Sequence, residues 1–349
     1  MAINRWDALL SNSQWYVPAA DLLAYQLTSE NRRTPVPASD QTLWSLGRSR
    51  NGRFSGRSVA RIVTAGGEQT TAINQMDGVV SPNGQVRINF TSPLGSSITG
   101  IGQVRQTNNG PAMQMQMITD GGGSYTTHWA NMLRLNQGTT PPEPGPPDGE
   151  QRDDRSTAFR WLLGSSWSIT PASRRPAGAG AQASGIFTIN GYRNGYFWGG
   201  GASSHGRRAF TVLGSVTPEG NLFFNAIDRK GFQLRISQRG RLQGNQVQSK
   251  VRLSPYEEES GQVQQPLELR LLNDPLISGG LKAGSDLRQP AWHAPVGPAA
   301  WRQDWPSLAG DGLDPFATRP ERGMRITELA MGGIGRGIGA GQASSPWPS

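Results

Sequence analysis

A chain of 349 residues is long enough for about two domains, each with a core of its own. Its 46 glycines and 25 prolines make up about a fifth of it, against roughly an eighth in an ordinary domain, while only 35% is hydrophobic and 17% charged. Such a chain is poor in helix formers and rich in turn formers, which excludes helical bundles, coiled coils and doubly wound α/β architectures and favours short strands joined by tight turns.

The absence of cysteine excludes disulfides, thiolate metal sites and cysteine nucleophiles. No apolar run reaches the ~18 residues of a membrane span, and the first ten residues lack a basic region followed by an apolar one. Neither a transmembrane segment nor a Sec signal is expected, and the cytoplasm is the default compartment. The formal charge of +9 is carried by arginine, since lysine occurs only at Lys230, Lys250 and Lys282. Guanidinium groups suit phosphates and carboxylates, but GC-rich coding gives the same bias. Along the chain the arginines are spread through strands and loops, so nucleic acid is not the expected partner.

In chain order, alternating segments predict strands near Trp15 and over 43–48, 53–59, 70–80, 85–91, 97–106, 112–118 and 125–135. A Pro-rich linker follows at 138–158, containing Thr140-Pro141-Pro142-Glu143-Pro144. The next strands are predicted over 167–170, 185–191, 195–201, 208–217, 221–228, 232–242, 245–254 and 267–272. The tail, 273–349, has scattered Pro and Gly, a glycine run at 332–341 and four tryptophans, Trp292, Trp301, Trp305 and Trp347. Only 324–331 could form a short helix there.

The two strand sets are related by sequence. Gly78-Val79-Val80-Ser81-Pro82-Asn83-Gly84 lines up with Gly214-Ser215-Val216-Thr217-Pro218-Glu219-Gly220, and the match runs on to Asn89 and Asn225. Upstream, Arg50-Asn51-Gly52-Arg53-Phe54-Ser55-Gly56 matches Arg193-Asn194-Gly195-Tyr196-Phe197-Trp198-Gly199, and Ser13-Gln14-Trp15 matches Ser165-Ser166-Trp167. Three matches in one order indicate an internal duplication, with domains at 1–137 and 159–272. The Asn-Gly and Pro-x-Gly pairs read as hairpin turns. The expected fold is all-β: two tandem antiparallel up-and-down β-barrels of about eight strands each, followed by a long non-regular C-terminal tail. A two-sheet sandwich fits the same count; the meander order and short turns favour barrels, in which closure removes the exposed edges.

Gly164-Ser165-Ser166-Trp167, a Trp in the first strand just after a small residue, resembles the opening strand of the calycins, the lipocalin and avidin class of β-barrels. The first copy has Asn12-Ser13-Gln14-Trp15 at that place, without the glycine. The resemblance implies a Trp closing one barrel end and an interior that can take a small ligand.

Few residues suggest chemistry. No phosphate-binding loop, zinc-protease helix, nucleophile elbow or EF-hand occurs. His128, His205 and His293 lack ligand spacing, and Glu257-Glu258-Glu259 and Asp153-Asp154 read as solvated loops. No catalytic residue, metal site or cofactor is therefore expected. Met113, Met115 and Met117 alternate in one strand and, with Phe90 and Trp129, could line a calyx for an apolar ligand, or simply fill the barrel. Phe187, Phe197, Phe210 and Phe224 are expected to fill the second barrel more completely. Asn89 and Asn225, at equivalent polar positions, are candidate ligand contacts. Trp292, Trp301, Trp305 and Trp347 are candidate anchors for docking the tail on a protein partner. The expected function is a non-catalytic binding or interaction protein. Alternatives are a structural subunit of a larger assembly and a barrel-scaffold isomerase or hydrolase.

Overall fold

The computed structural model describes residues 4–92, 97–108, 110–121, 123–147, 154–172, 185–203, 208–243, 246–255 and 266–273. The tail anchors Trp292, Trp301, Trp305 and Trp347, together with His205, His293, Asp153 and Glu257-Glu258-Glu259, lie outside the described residues.

The first barrel opens with the one-turn helix α1 (Asp7–Leu10) and continues through β1 (Gln14–Tyr16), β2 (Leu23–Thr28), β3 (Val36–Leu46), β4 (Arg53–Thr64), β5 (Gln69–Val80), β6 (Gln85–Thr91), β7 (Ser97–Thr107), β8 (Gly110–Gly121) and β9 (Ser124–Arg134). Each of β3 to β8 pairs with the next, and β1 and β2 both pair with β3 and β9. β1 and β2 therefore form one broken stave, and the ring closes at eight. The second barrel is a plain closed meander of β10 (Ser166–Pro171), β11 (Gly185–Arg193), β12 (Tyr196–Ser203), β13 (Ala209–Val216), β14 (Asn221–Asp228), β15 (Gln233–Arg241), β16 (Lys250–Pro255) and β17 (Leu267–Leu271). A 3-10 turn at Asp154–Leu162 precedes it, as α1 precedes the first.

The expected pair of eight-stranded antiparallel barrels is thus the fold. Two details differ from the sequence reading. β2 and the first half of β3 were not expected, because Pro37 and the polar run Ser39-Asp40-Gln41-Thr42 hide the alternation. Strict alternation puts Phe232, Leu234 and Ile236 on one face, but a bulge in β15 opposite Ala226 and Ile227 separates them: Ile236 points into the barrel, while Phe232 and Leu234 pack outward.

The duplication extends to single hydrogen bonds. Trp15 Nε1 donates to Ser13 Oγ (2.9 Å), which donates to Leu10 O (2.6 Å); Trp167 Nε1 donates to Ser165 Oγ (2.7 Å), which donates to Leu162 O (2.5 Å). Asn51 and Asn194 have φ of 54° and 51°, and Gly84 and Gly220 have φ of 87° and 85°. Asn12, which replaces the glycine of the second copy, has φ 50°, against 80° for Gly164. Asparagine visits this left-handed region more readily than other side chains, so the first copy keeps the turn. Phe54 lies on Gly78 and Phe197 on Gly214, so closely that a Cβ on either glycine would stand 2.4 or 2.2 Å from the ring. The three repeated motifs therefore lie at the same end of each barrel, the end that α1 or the 3-10 turn Asp154–Leu162 closes, where Leu10 and Leu162 are buried in the core with Trp15 and Trp167.

Both interiors are occupied by side chains. In the first, Trp15, Trp44, Phe54, Ile88, Phe90, Met113, Met115 and Met117 are buried together. In the second, Phe187, Phe197, Phe210 and Phe224 fill the core around Trp167, with Phe187 and Phe224 ring centres 5.3 Å apart. The space left between Leu162, Trp167, Phe224 and Leu269 is about 10 Å³, room for no more than one water. Among the described residues no helix is long and apolar enough to cross a membrane.

Candidate functional site

The first barrel contains a buried polar cluster above its apolar floor. On the interior register of β3, Asp40 and Thr42 precede Trp44 and Leu46; on that of β9, His128 precedes Ala130 and Met132. This alternation brings Asp40 and His128 together, with His128 Nδ1 3.3 Å from Asp40 Oδ2. The contact falls outside hydrogen-bond geometry, so it is an ion pair more than an aligned bond. Thr42 Oγ1 donates to Asp40 Oδ1 (2.8 Å), and His128 Nε2 lies 2.8 Å from the carbonyl oxygen of Asp21. Burial pushes the His128 pKa down, but the Asp40 carboxylate and the Asp21 carbonyl outweigh it and hold the pKa above the usual histidine value. With acceptors at both nitrogens, the ring is best satisfied as an imidazolium.

Asp21 ends the 3-10 turn Ala19–Asp21 that breaks the first stave. The break leaves backbone N–H groups of β9 without a strand partner. Asp21 Oδ2 accepts from Asn131 N (2.8 Å), and the Tyr196 hydroxyl of the second barrel accepts from Trp129 N (3.0 Å) and donates to Leu23 O (2.6 Å). Burial raises the Tyr196 pKa well above the ordinary tyrosine value, so its hydroxyl keeps its proton.

That hydroxyl belongs to a seam along which the barrels lie side by side, closed ends together. Leu27, Ile101, Ile118 and Tyr125 pack against Leu213, Phe223 and Ile227. Tyr25, Trp129, Tyr196 and Trp198 form an aromatic group, with Tyr25 and Trp198 stacked at 5.3 Å. Burial there pushes the Tyr25 pKa up to about 12. Tyr125 repeats the plug in the other direction. Among the described residues β16 pairs with β15 at Gln238 and Arg239, and at the start of β15 the Tyr125 hydroxyl donates to Phe232 O (2.9 Å) and accepts from Leu234 N (2.9 Å). At the closed end, Glu219 meets Arg105 (3.1 Å) and Gln114 (2.9 Å). Burial raises its pKa, but these two bonds outweigh that effect and lower it.

The residues singled out by sequence go to different places. Met113, Met115 and Met117 face the first barrel's interior, where Met115 and Met117 lie against Gly100 and Gly102. Trp129 does not line that interior: it points outward into the seam, its Nε1 donating to Asn194 O (3.1 Å). The parity of β9 dictates this, because His128 and Ala130 take the inward positions. Asn89 faces outward on β6. Asn225 also faces outward, between Phe223 and Ile227 in the seam, accepting from Ser237 Oγ (3.0 Å). Gln114 and Gln116, which alternate with the methionines and so are expected to face solvent or a partner, are buried against the second barrel, where Gln116 Nε2 donates to Ser215 O and Asn221 O.

Sequence reasoning missed Asp21, Asp40 and Tyr196. For Asp40 a signal existed in the alternation Asp40, Thr42, Trp44, Leu46; for Tyr196 none did, because its partners belong to the other copy. Among the described residues no three His, Asp or Glu side chains are placed to hold a metal ion. No known protein family, curated protein or solved structure matches this chain.

Proposed function

We propose that this protein is a non-catalytic interaction protein, a duplicated pair of filled barrels that offers its outer surface and residues 273–349 to protein partners. The carrying observation is that large side chains cluster inside both barrels and, in the second, leave only about 10 Å³ between them. Ligand-binding barrels keep a pocket of several hundred Å³, whereas here the methionine stripe packs on glycines. A calycin kinship belongs to the same proposal and is supported by Trp15 and Trp167 at the closed ends. Trp292, Trp301, Trp305 and Trp347 remain the proposed anchors, since an indole buries ~150–250 Å² and offers one donor.

Limited proteolysis tests the role of the tail. Cuts within 273–349 should come quickly in the isolated protein and slowly in the assembly from its source, with both barrels intact in each. Equal protection in isolated monomer and assembly would overturn the docking role.

A second reading, acid–base chemistry in the first barrel, is favoured by the His128–Asp40 pair alone. It requires solvent or substrate to reach a ring whose nitrogens already face Asp40 and Asp21. Diethyl pyrocarbonate would modify His128 rapidly in the native protein under that reading, and not under the first.

A further inference from the structure

The outward face of β4, β5 and β6 lies on the side of the first barrel away from the seam. Strand periodicity puts Arg53, Arg57 and Arg61 on it, roughly 13 Å apart along β4. Register sets Val79 between Arg53 and Arg87, Gln75 beside Arg57, and Ile73 beside Val59. Four arginines thus stand against one carboxylate, Asp77, on the outward positions of these strands. Ile73 and Val79 are exposed; the one other large exposed hydrophobic among the described residues is Leu272. Arginines around exposed aliphatic side chains are typical of protein interfaces, and the face lacks the aromatic platforms on which nucleic-acid bases stack.

One acidic segment already sits at the edge of this face. Glu143, flanked by Pro142 and Pro144 in the linker, pairs with Arg61 at 2.6 Å, and Pro142 O accepts from Gln41 Nε2 (2.9 Å). Farther along the stripe, Arg53 and Arg57 have no acidic partner among the described residues.

We propose that residues 304–316 of this protein dock on the β4–β6 face. The segment, Asp304-Trp305-Pro306-Ser307-Leu308-Ala309-Gly310-Asp311-Gly312-Leu313-Asp314-Pro315-Phe316, has three aspartates and no lysine or arginine. Trp305, Leu308, Leu313 and Phe316 supply apolar surface for Ile73 and Val79, while the aspartates meet Arg53 and Arg57 as Glu143 meets Arg61. Asp314-Pro315 repeats the Glu143-Pro144 pattern. From Asn273 to Asp304 the chain can span ~100 Å when extended, ample for a barrel's far side. The proposal rests on reading the tail as a docking segment and adds where it lands.

The test is photo-crosslinking of the full chain with p-benzoylphenylalanine in place of the exposed Ile73. Adducts should map to 304–316 and join two copies, since the tail of the isolated chain is expected to be open to cleavage. Arg53→Glu with Arg57→Glu should lower their yield at least about fivefold, and Asp304→Lys, Asp311→Lys and Asp314→Lys in that background should restore it. Adducts elsewhere, a yield indifferent to the charge reversals, or a single-stranded oligonucleotide that binds through Arg53 and Arg57 would overturn the proposal. If the adduct fails while removal of 274–349 still abolishes assembly, the landing site is wrong and the docking role stands. Unchanged thermal melting of each variant confirms that the surface substitutions leave the barrel folded.

Discussion

His128 shows how a side chain's role depends on which way its strand faces. Alone in the sequence it reads as a surface or capped core histidine; on the inward register of β9 it is buried inside the barrel beside Asp40. Its raised pKa gives stability a definite pH dependence. The protonated pair contributes fully below the unfolded value of about 6.5, and the contribution is lost as pH rises through the higher folded value. Urea denaturation of the wild type should therefore show stability falling across that window, and His128→Gln should remove this component of the slope. Asp40→Asn should cost about 3–5 kcal/mol at pH 6, the usual penalty for leaving a buried charge unpaired. A loss that does not change with pH would show that His128 is neutral in the fold. Phe224→Ala, in the second core, should cost about 3–5 kcal/mol.

At the scale of elements, the parts read correctly from sequence are those governed by local rules. The Asn-Gly and Pro-x-Gly turns need positive φ, and Gly84 and Gly220 have it. The paired motifs gave the duplication because each residue in them answers to the closed end of its own barrel. Asn12 and Gly164 look different in sequence yet share one backbone conformation. Ser13→Ala and Ser165→Ala should each cost about 1–3 kcal/mol, since each strands a buried indole N–H, and the two losses should be similar. Markedly different losses would mean that the floors of the two barrels are not equivalent. The broken first stave and the β15 bulge were not legible. At both, a tyrosine from the other barrel takes part in the backbone hydrogen bonding, so the information lies about 70 to 110 residues away along the chain.

At the scale of the molecule, the seam explains why Gln114 and Gln116 are dry and why Trp129 does not line the first interior, neither of which a reading of each barrel alone shows. Polar outward residues looked wet, but on β8 and β9 outward means toward the second barrel. Reciprocal plugging by Tyr125 and Tyr196 joins the barrels, so they should unfold as one cooperative unit. Calorimetry should give a single unfolding transition for the wild type, and combining Tyr125→Phe with Tyr196→Phe should broaden or split it; two transitions in the wild type would show weak coupling. The shared residues of the duplication lie at matching places in the two barrels and large side chains cluster inside both, and the proposed function puts partner binding on the outside. Native mass spectrometry of the full chain purified from its source tests this most directly. The expected result is the chain in stoichiometric complex with protein and without a bound small molecule, whereas a stoichiometric small ligand retained by the isolated chain would contradict it.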